Sequence, residues 1–188
     1  MKSMTKRLLA ALLAVAALFA LAGCSKSDKA DAAPKDYTKI LHDARPDKDN
    51  EYYMIFSPGE DGKFTAQYGY SDSYDAAQLD EEIRNMLLPL LNLEEDMYTD
   101  FAASVSGMMV QSYGIAIVKP AEGKQQAVSE ALDAYVQSQM QSMEHYLEDQ
   151  YQIAASSHIS TAPTGEVILV CCENPEAVMN AIKTALAA

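Results

Sequence analysis

The sequence predicts an α+β domain built on an antiparallel sheet with a β-β-α-β-β-α core, two helices on one face, and N-terminal helices and a hairpin packed on the rest. Three observations predict it. Short stretches of alternating apolar and polar residues come in pairs, 51–56 with 64–70, 101–105 with 113–118, and 156–161 with 166–172. Two of the gaps hold turn signals, Pro58-Gly59 with Asp61-Gly62, and Pro163 with Gly165. Longer stretches between the pairs repeat apolar residues at helical spacing.

Taken in order, Asp36 reads as the cap of a short helix. Tyr37, Ile40, Leu41 and Ala44 form its inner face, and Pro46 stops it. The hairpin of residues 51–70 follows, with Phe64, Ala66, Tyr68 and Tyr70 alternating against Thr65, Gln67 and Gly69. Leu79, Ile83, Met86, Leu87 and Leu90 mark the next helix. Asp80, Glu81 and Glu82 suit its positive N-terminal end, and Pro89 kinks or ends it. Residues 94–100 add a short helical turn. Strands at 101–105 and 113–118 are joined near Gln111. A long helix over 124–148 buries Val128, Leu132, Tyr135, Val136, Met143 and Leu147. After the hairpin of 156–172, Asn174-Pro175 opens the last helix as cap and first residue, with Val178, Ile182, Ala185 and Leu186 inside. Ala102, Ser104, Ala116, Val118, Val167 and Leu169 are assigned to the second sheet face. They are too apolar for a solvated surface, so the segment around Leu87-Leu88-Pro89-Leu90-Leu91 is expected to cover them.

The start of the chain is a targeting signal. Lys2, Lys6 and Arg7 precede an apolar run of 14 residues from Leu8 to Leu21. That run is shorter than the roughly 20 residues a membrane-spanning helix needs. Leu21-Ala22-Gly23-Cys24 then reads as a lipobox, with small residues that admit a peptidase and a thiol that accepts diacylglycerol. Ala20-x-Ala22 would also suit ordinary signal peptidase, and an uncleaved anchor is a third reading. The expected organisation is a signal peptide over 1–23, a lipidated Cys24 with a flexible tether over 24–35, and one domain over 36–188. Each buried lipid methylene contributes about 0.8 kcal/mol, so more than one chain makes a durable anchor.

The chain carries a net charge of −13, and all three basic residues before Cys24 leave with the signal, giving −16 for the remainder. So acidic a surface argues against nucleic acid and against lying flat on anionic lipid. With Cys24 lipidated, the free thiols are the adjacent Cys171 and Cys172. On one strand they point to opposite faces, so neither a disulfide nor a metal site is expected of them.

Few residue patterns carry chemistry. Met140, Met143 and His145 offer soft ligands of the kind copper(I) takes, but Met143 falls on the buried stripe of its helix. His145 and Glu148 share a helix face without the second such pair a di-iron site needs. Asp47-x-Asp49-x-Glu51 lacks the glycine and the distal glutamate of a calcium loop. No nucleophile elbow, zinc-protease helix or phosphate loop is present. Tyr52, Tyr53, Tyr68 and Tyr70, in a hairpin with Phe56 and nearby Tyr74, could stack on sugar rings or anchor a partner. Alternatively, alternate rings fill the core and the rest are simply strand formers.

The stretch from Tyr113-Gly114-Ile115-Ala116-Ile117-Val118-Lys119-Pro120 through Glu122-Gly123-Lys124 and a glutamine-rich helix to Tyr146-Leu147-Glu148-Asp149-Gln150-Tyr151 resembles bacterial lipoproteins carrying domain of unknown function 4358. So does Gly165-Glu166-Val167-Ile168-Leu169-Val170 with the acidic turn after it. The resemblance covers roughly Leu79 to the C-terminus, and it implies a small exported lipoprotein with no assigned activity. The expected function is a non-enzymatic, lipid-anchored accessory or interaction protein on the extracytoplasmic face of the bacterial cell membrane, without cofactor. Its partners would be the membrane, through the lipid on Cys24, and an envelope protein. The alternative is a lipoprotein that binds a small ligand, a sugar, peptide or metal.

Overall fold

A computed structural model describes residues 34–188. The expected signal peptide, the lipobox with Cys24 and nearly all of the tether lie outside the described residues.

The fold is α+β. Six strands form one antiparallel sheet: β1 (Ile55–Pro58), β2 (Phe64–Gln67), β3 (Tyr98–Val105), β4 (Gly114–Pro120), β5 (His158–Thr161) and β6 (Val167–Cys171), in spatial order β2-β1-β3-β4-β6-β5. Helix α1 (Tyr37–Ala44) begins where the Asp36 carboxylate accepts the Lys39 N–H at 2.9 Å. Helix α2 (Asp47–Tyr52) follows Pro46, with Asp47 and Asp49 in its first turn. Helix α3 (Ala76–Glu82) opens with a reciprocal cap: Asp75 accepts from the Ala77 and Gln78 N–H groups, and the Gln78 side chain accepts from the Asp75 N–H. It runs through a π-helical turn, Ile83–Leu87, into α4 (Leu88–Leu90). Pro89 lacks an N–H and crowds the turn before it, and the widened turn accommodates it. Helices α5 (Gln125–Met143), α6 (Glu148–Ala155) and α7 (Pro175–Ala187) complete the chain.

The sheet is buried on both faces, and here the structure corrects the expected layering. Phe101, Ala103, Val105, Ala116, Val118, Val167 and Leu169 pack with Leu132 and Tyr135 of α5 and with Ile83, Leu87 and Leu91. Ala102, Ile115, Ile117, Ile168 and Val170 pack on the other side with Val178 and Ile182 of α7 and with Tyr37 and Leu41 of α1. The two long helices therefore lie on opposite faces, not on one. Strands apolar on both faces need a cover on each. Ala102 and Ser104 also belong opposite Ala116 and Val118, because β3 pairs Ala103 with Ala116 and Ala102 with Ile117. A one-residue slip exchanges the faces. Leu87 and Leu88 share a core with Ala116, Val118, Val167 and Leu169, but the cover they were expected to give is shared with α5, which packs on β4 and β6 of the same face.

Four boundaries also differ. Glu51 and Tyr52 finish α2 rather than start a strand. Strand β2 ends at Gln67, since Tyr68 and Gly69 both take positive φ (68° and 52°). The helical turn expected over 94–100 gives way to β3 at Tyr98. The long helix stops at Met143, and α6 is a separate helix, so two helices, not one, connect β4 to β5.

One buried carboxylate ties α1 to the start of β6. The Tyr37 hydroxyl donates to Glu166 Oε1 at 3.0 Å, and the Thr164 hydroxyl donates to Oε2. Burial pushes the Glu166 carboxyl up, but these donors and its own backbone N–H outweigh burial and hold it below the usual 4.5. A depressed carboxyl stabilises the fold above its unfolded pKa, and that contribution is lost as pH falls through the folded value. Denaturant midpoints should therefore drop more from about pH 6 to about pH 3.5 in the wild type than in Glu166→Gln. Equal drops would remove this carboxylate from the acid response.

Candidate functional site

Two adjoining cavities share Tyr52, Tyr53 and Gln111 as a common wall. The first holds about 280 Å³ and sets the polar side chains of Lys48, Asp49, Ser112, Gln150, Glu173 and Asn174 among apolar walls that include Pro46, Ile153 and Val178. The second holds about 650 Å³ and is lined by Tyr52, Tyr53, Tyr70, Tyr74, Met86, Leu87 and Met108, with Glu82 its one charged group. Together they form a groove with a polar end and an aromatic end.

Local structure explains each wall. Tyr52 ends α2 and stands 68% exposed. Tyr53 follows in extended backbone, and its ring stacks on Tyr113 at 3.8 Å between centroids, 12° from parallel. Burial, with Asp49, Glu173 and Tyr70 near it, pushes the Tyr53 phenol up to about 12. Tyr70 reaches the groove because Gly69 lies directly against the backbone of Tyr53 and Met54. The Gly69 N–H also donates to the Asn50 carbonyl at 2.9 Å. Met86 projects from the π-helical turn and Met108 from the loop of residues 106–113. That loop is held by the Ser106 N–H donating to the Tyr113 carbonyl at 2.9 Å. Its tip is apolar and open to solvent, Met109 being 84% exposed between Met108 and Val110.

The groove rests on Arg45. Its buried guanidinium donates from Nε to Asn50 Oδ1 at 2.6 Å, and from Nη1 to Ser104 Oγ at 2.7 Å and to the Tyr113 hydroxyl at 3.2 Å. Nη2 donates to the Tyr53 carbonyl at 2.6 Å. Asp49 is buried beside this group. Burial pushes its carboxyl up, while Lys48 and Arg45 pull it down. The Ser112 N–H donates to Gln150 Oε1 at 2.9 Å, yet its buried Oγ has no partner among the described residues. A buried hydroxyl without a partner is unusual and marks a place where a ligand or water could bond.

Of the four expected contact tyrosines, the groove brings together Tyr52, Tyr53 and Tyr70. Tyr68 is elsewhere, stacked on His42 at 4.2 Å. Met140 and Met143 do not converge with His145. Met143 is buried, whereas His145 is 77% exposed at its side chain. Among the described residues no group of three His, Cys, Asp or Glu side chains is placed to hold a metal. Cys171, the last residue of β6, and Cys172 just past it fall in the two different cores, as expected of adjacent residues in extended chain. Burial pushes Cys171 up to about 11 and raises Cys172, the thiol that borders the polar cavity. A raised thiol stays protonated and unreactive at neutral pH.

The sequence profile of a domain of unknown function, DUF4358, matches residues 71–172, more than half of the chain. The chain belongs to the DUF4358 family. Curated proteins and solved structures offer no match to it. The DUF4358 segment begins earlier than the resemblance read from the sequence, at Ser71 rather than Leu79, and stops at Cys172. It therefore supplies Tyr74, Glu82, Met86, Met108, Gln111, Ser112 and Gln150 to the groove. The opposite wall, Lys48, Asp49, Tyr52, Tyr53, Tyr70, Glu173 and Asn174, comes from outside it.

Proposed function

We propose that this DUF4358 protein is a non-enzymatic binding protein of the bacterial cell envelope, anchored by lipid on Cys24 to the extracytoplasmic face of the membrane, and that the two-part groove holds a small ligand. The observation that carries this reading is the pair of adjoining cavities walled by Tyr52 and Tyr53. Their volumes, about 280 and 650 Å³, fall around the range typical of small-molecule sites, which are largely apolar with a few converging polar groups. The unpartnered Ser112 Oγ and buried Asp49 supply such groups. The Leu21-Ala22-Gly23-Cys24 tetrad supports the anchor. A second reading, an accessory protein that docks on an envelope partner, is favoured by the exposed Met108, Met109 and Val110 beside the groove, since adaptable methionines suit partner surfaces.

A photo-reactive residue in place of Met108 tests both in intact cells of the native source. A cross-linked adduct of small mass is expected. A protein-sized adduct would exchange the first reading for the second, and no adduct above that of a photo-reactive residue at Tyr146, a remote exposed position, would sink both. The intact mass of the same material is expected to include diacylglycerol on Cys24, and a free thiol there would remove the anchor.

A further inference from the structure

The aromatic half of the groove has one sign of charge. Glu82 is its only ionisable group other than the tyrosines, and no lysine, arginine or histidine lines it. Glu82 is half-buried and makes no ion pair among the described residues. The nearest basic side chain in sequence, Arg84, is engaged with Asp80 and Glu95. On the polar side Asp49 and Glu173 add negative charge, and Lys48 is taken up by Glu173 at 2.6 Å. Tyr70 and Tyr74 stand 6.2 Å apart between centroids with planes 49° from each other, so two ring faces converge without stacking. Burial first, then Tyr74 and Glu82, hold the Tyr70 phenol above its ordinary range, as a negative surrounding does. An anion would be repelled here, and a neutral apolar ligand would leave the Glu82 carboxylate partly desolvated and unpaired.

We propose that the aromatic half of the groove binds a small organic ammonium ion, its nitrogen held among the rings of Tyr52, Tyr70 and Tyr74 with Glu82 as counter-charge. The chemistry is that of cations on aromatic faces, strengthened by removal from water. Met86 and Met108 give the alkyl part of such a ligand a soft apolar wall. The proposal rests on the groove being a ligand site, and it names the ligand's class.

The test compares choline with 3,3-dimethylbutan-1-ol, in which carbon replaces the charged nitrogen at nearly unchanged shape. Binding to the whole protein, purified in a maltoside detergent, is followed by titration calorimetry and ligand-detected NMR. Choline is expected to bind at least about tenfold tighter than the neutral alcohol, a preference in the range cation–π contacts supply. Glu82→Gln should reduce choline binding several-fold and leave the alcohol unchanged, and Tyr70→Leu should erase the preference. Thermal melts of both variants confirm that they fold. Equal binding of the two probes would overturn the ammonium proposal and keep the groove as a ligand site. Absence of saturable choline binding would overturn it as well, with the groove itself then judged by the cross-linking at Met108.

Discussion

Arg45→Met is expected to lower the stability of the protein by about 3–5 kcal/mol, the range for removing one partner from a buried charged network. Arg45 is only 4% exposed and gives four hydrogen bonds to Asn50, Ser104, Tyr113 and Tyr53. These partners belong to three separate pieces of chain: α2 with the Tyr53 that follows it, β3, and the loop before β4. Methionine fills much of the same volume, so the loss is chiefly that of unpaired oxygens and not of a cavity. Arg45→Lys should restore less than half, because one ammonium cannot reproduce a planar fork that reaches Asn50 and Ser104 together. Asp49 adds a pH signature. Its carboxyl is already raised by burial, with Arg45 among the groups that lower it. Without Arg45 the ionised form is worse tolerated, so the deficit should be largest at neutral pH and shrink as acid protonates Asp49. Urea denaturation across the acidic range reads both effects. A deficit under about 1 kcal/mol, flat with pH, would mean that water replaces the guanidinium and that the groove does not depend on it.

The features that could be read from the sequence are those a single element fixes. The stripe Val128, Leu132, Tyr135, Val136 and Met143 is buried as its spacing implies, and Asp36 caps the helix it was expected to cap. Two of the three strand pairs were legible through the turn signals between them, and the third, β3 with β4, through alternation alone. What failed depends on two elements at once. Which face Ala102 shares follows from register against β4, and no pattern within β3 states it. Because both sheet faces are apolar, alternation could not say which helix covers which face. The break at Met143 carries neither proline nor glycine, so the periodic stretch reads straight through it. The groove was legible as a cluster of tyrosines, of which it uses Tyr52, Tyr53, Tyr70 and Tyr74. Arg45, Asp49 and Ser112 were not, since a polar residue shows its burial only once its neighbours are in place. One signal was available: Arg45 sits next to a helix-stopping proline in a chain with few basic residues.

Gly69→Ala is expected to cost about 2–3 kcal/mol and to disturb Tyr70, whereas Gly62→Ala should cost about 1 kcal/mol and leave the groove alone. Both glycines take positive φ, +52° at Gly69 and +77° at Gly62. They differ in surroundings. A methyl on Gly62 meets nothing within 4 Å, so only the left-handed backbone penalises it. A methyl on Gly69 would lie 2.5 Å from the Tyr53 carbonyl carbon and 2.6 Å from the Met54 nitrogen, atoms that no side-chain rotation can move aside. Relief requires the chain after β2 to lift away from the start of β1. That movement stretches the bond from the Gly69 N–H to the Asn50 carbonyl and carries Tyr70 away from Tyr53 and Glu82. The same Asn50 accepts from Arg45, so the strain reaches the groove from a second side. Chemical denaturation gives the stability difference between the two variants. Tyrosine ring NMR signals report whether Tyr70 has moved, and choline titration reports whether its site survives. If the two alanine variants lose the same stability and Tyr70 is unshifted, close approach at Gly69 does not set the groove. The rings would then be positioned by the short 3₁₀ turn Ser71–Ser73 alone, and ligand binding should tolerate any residue at position 69 that accepts positive φ.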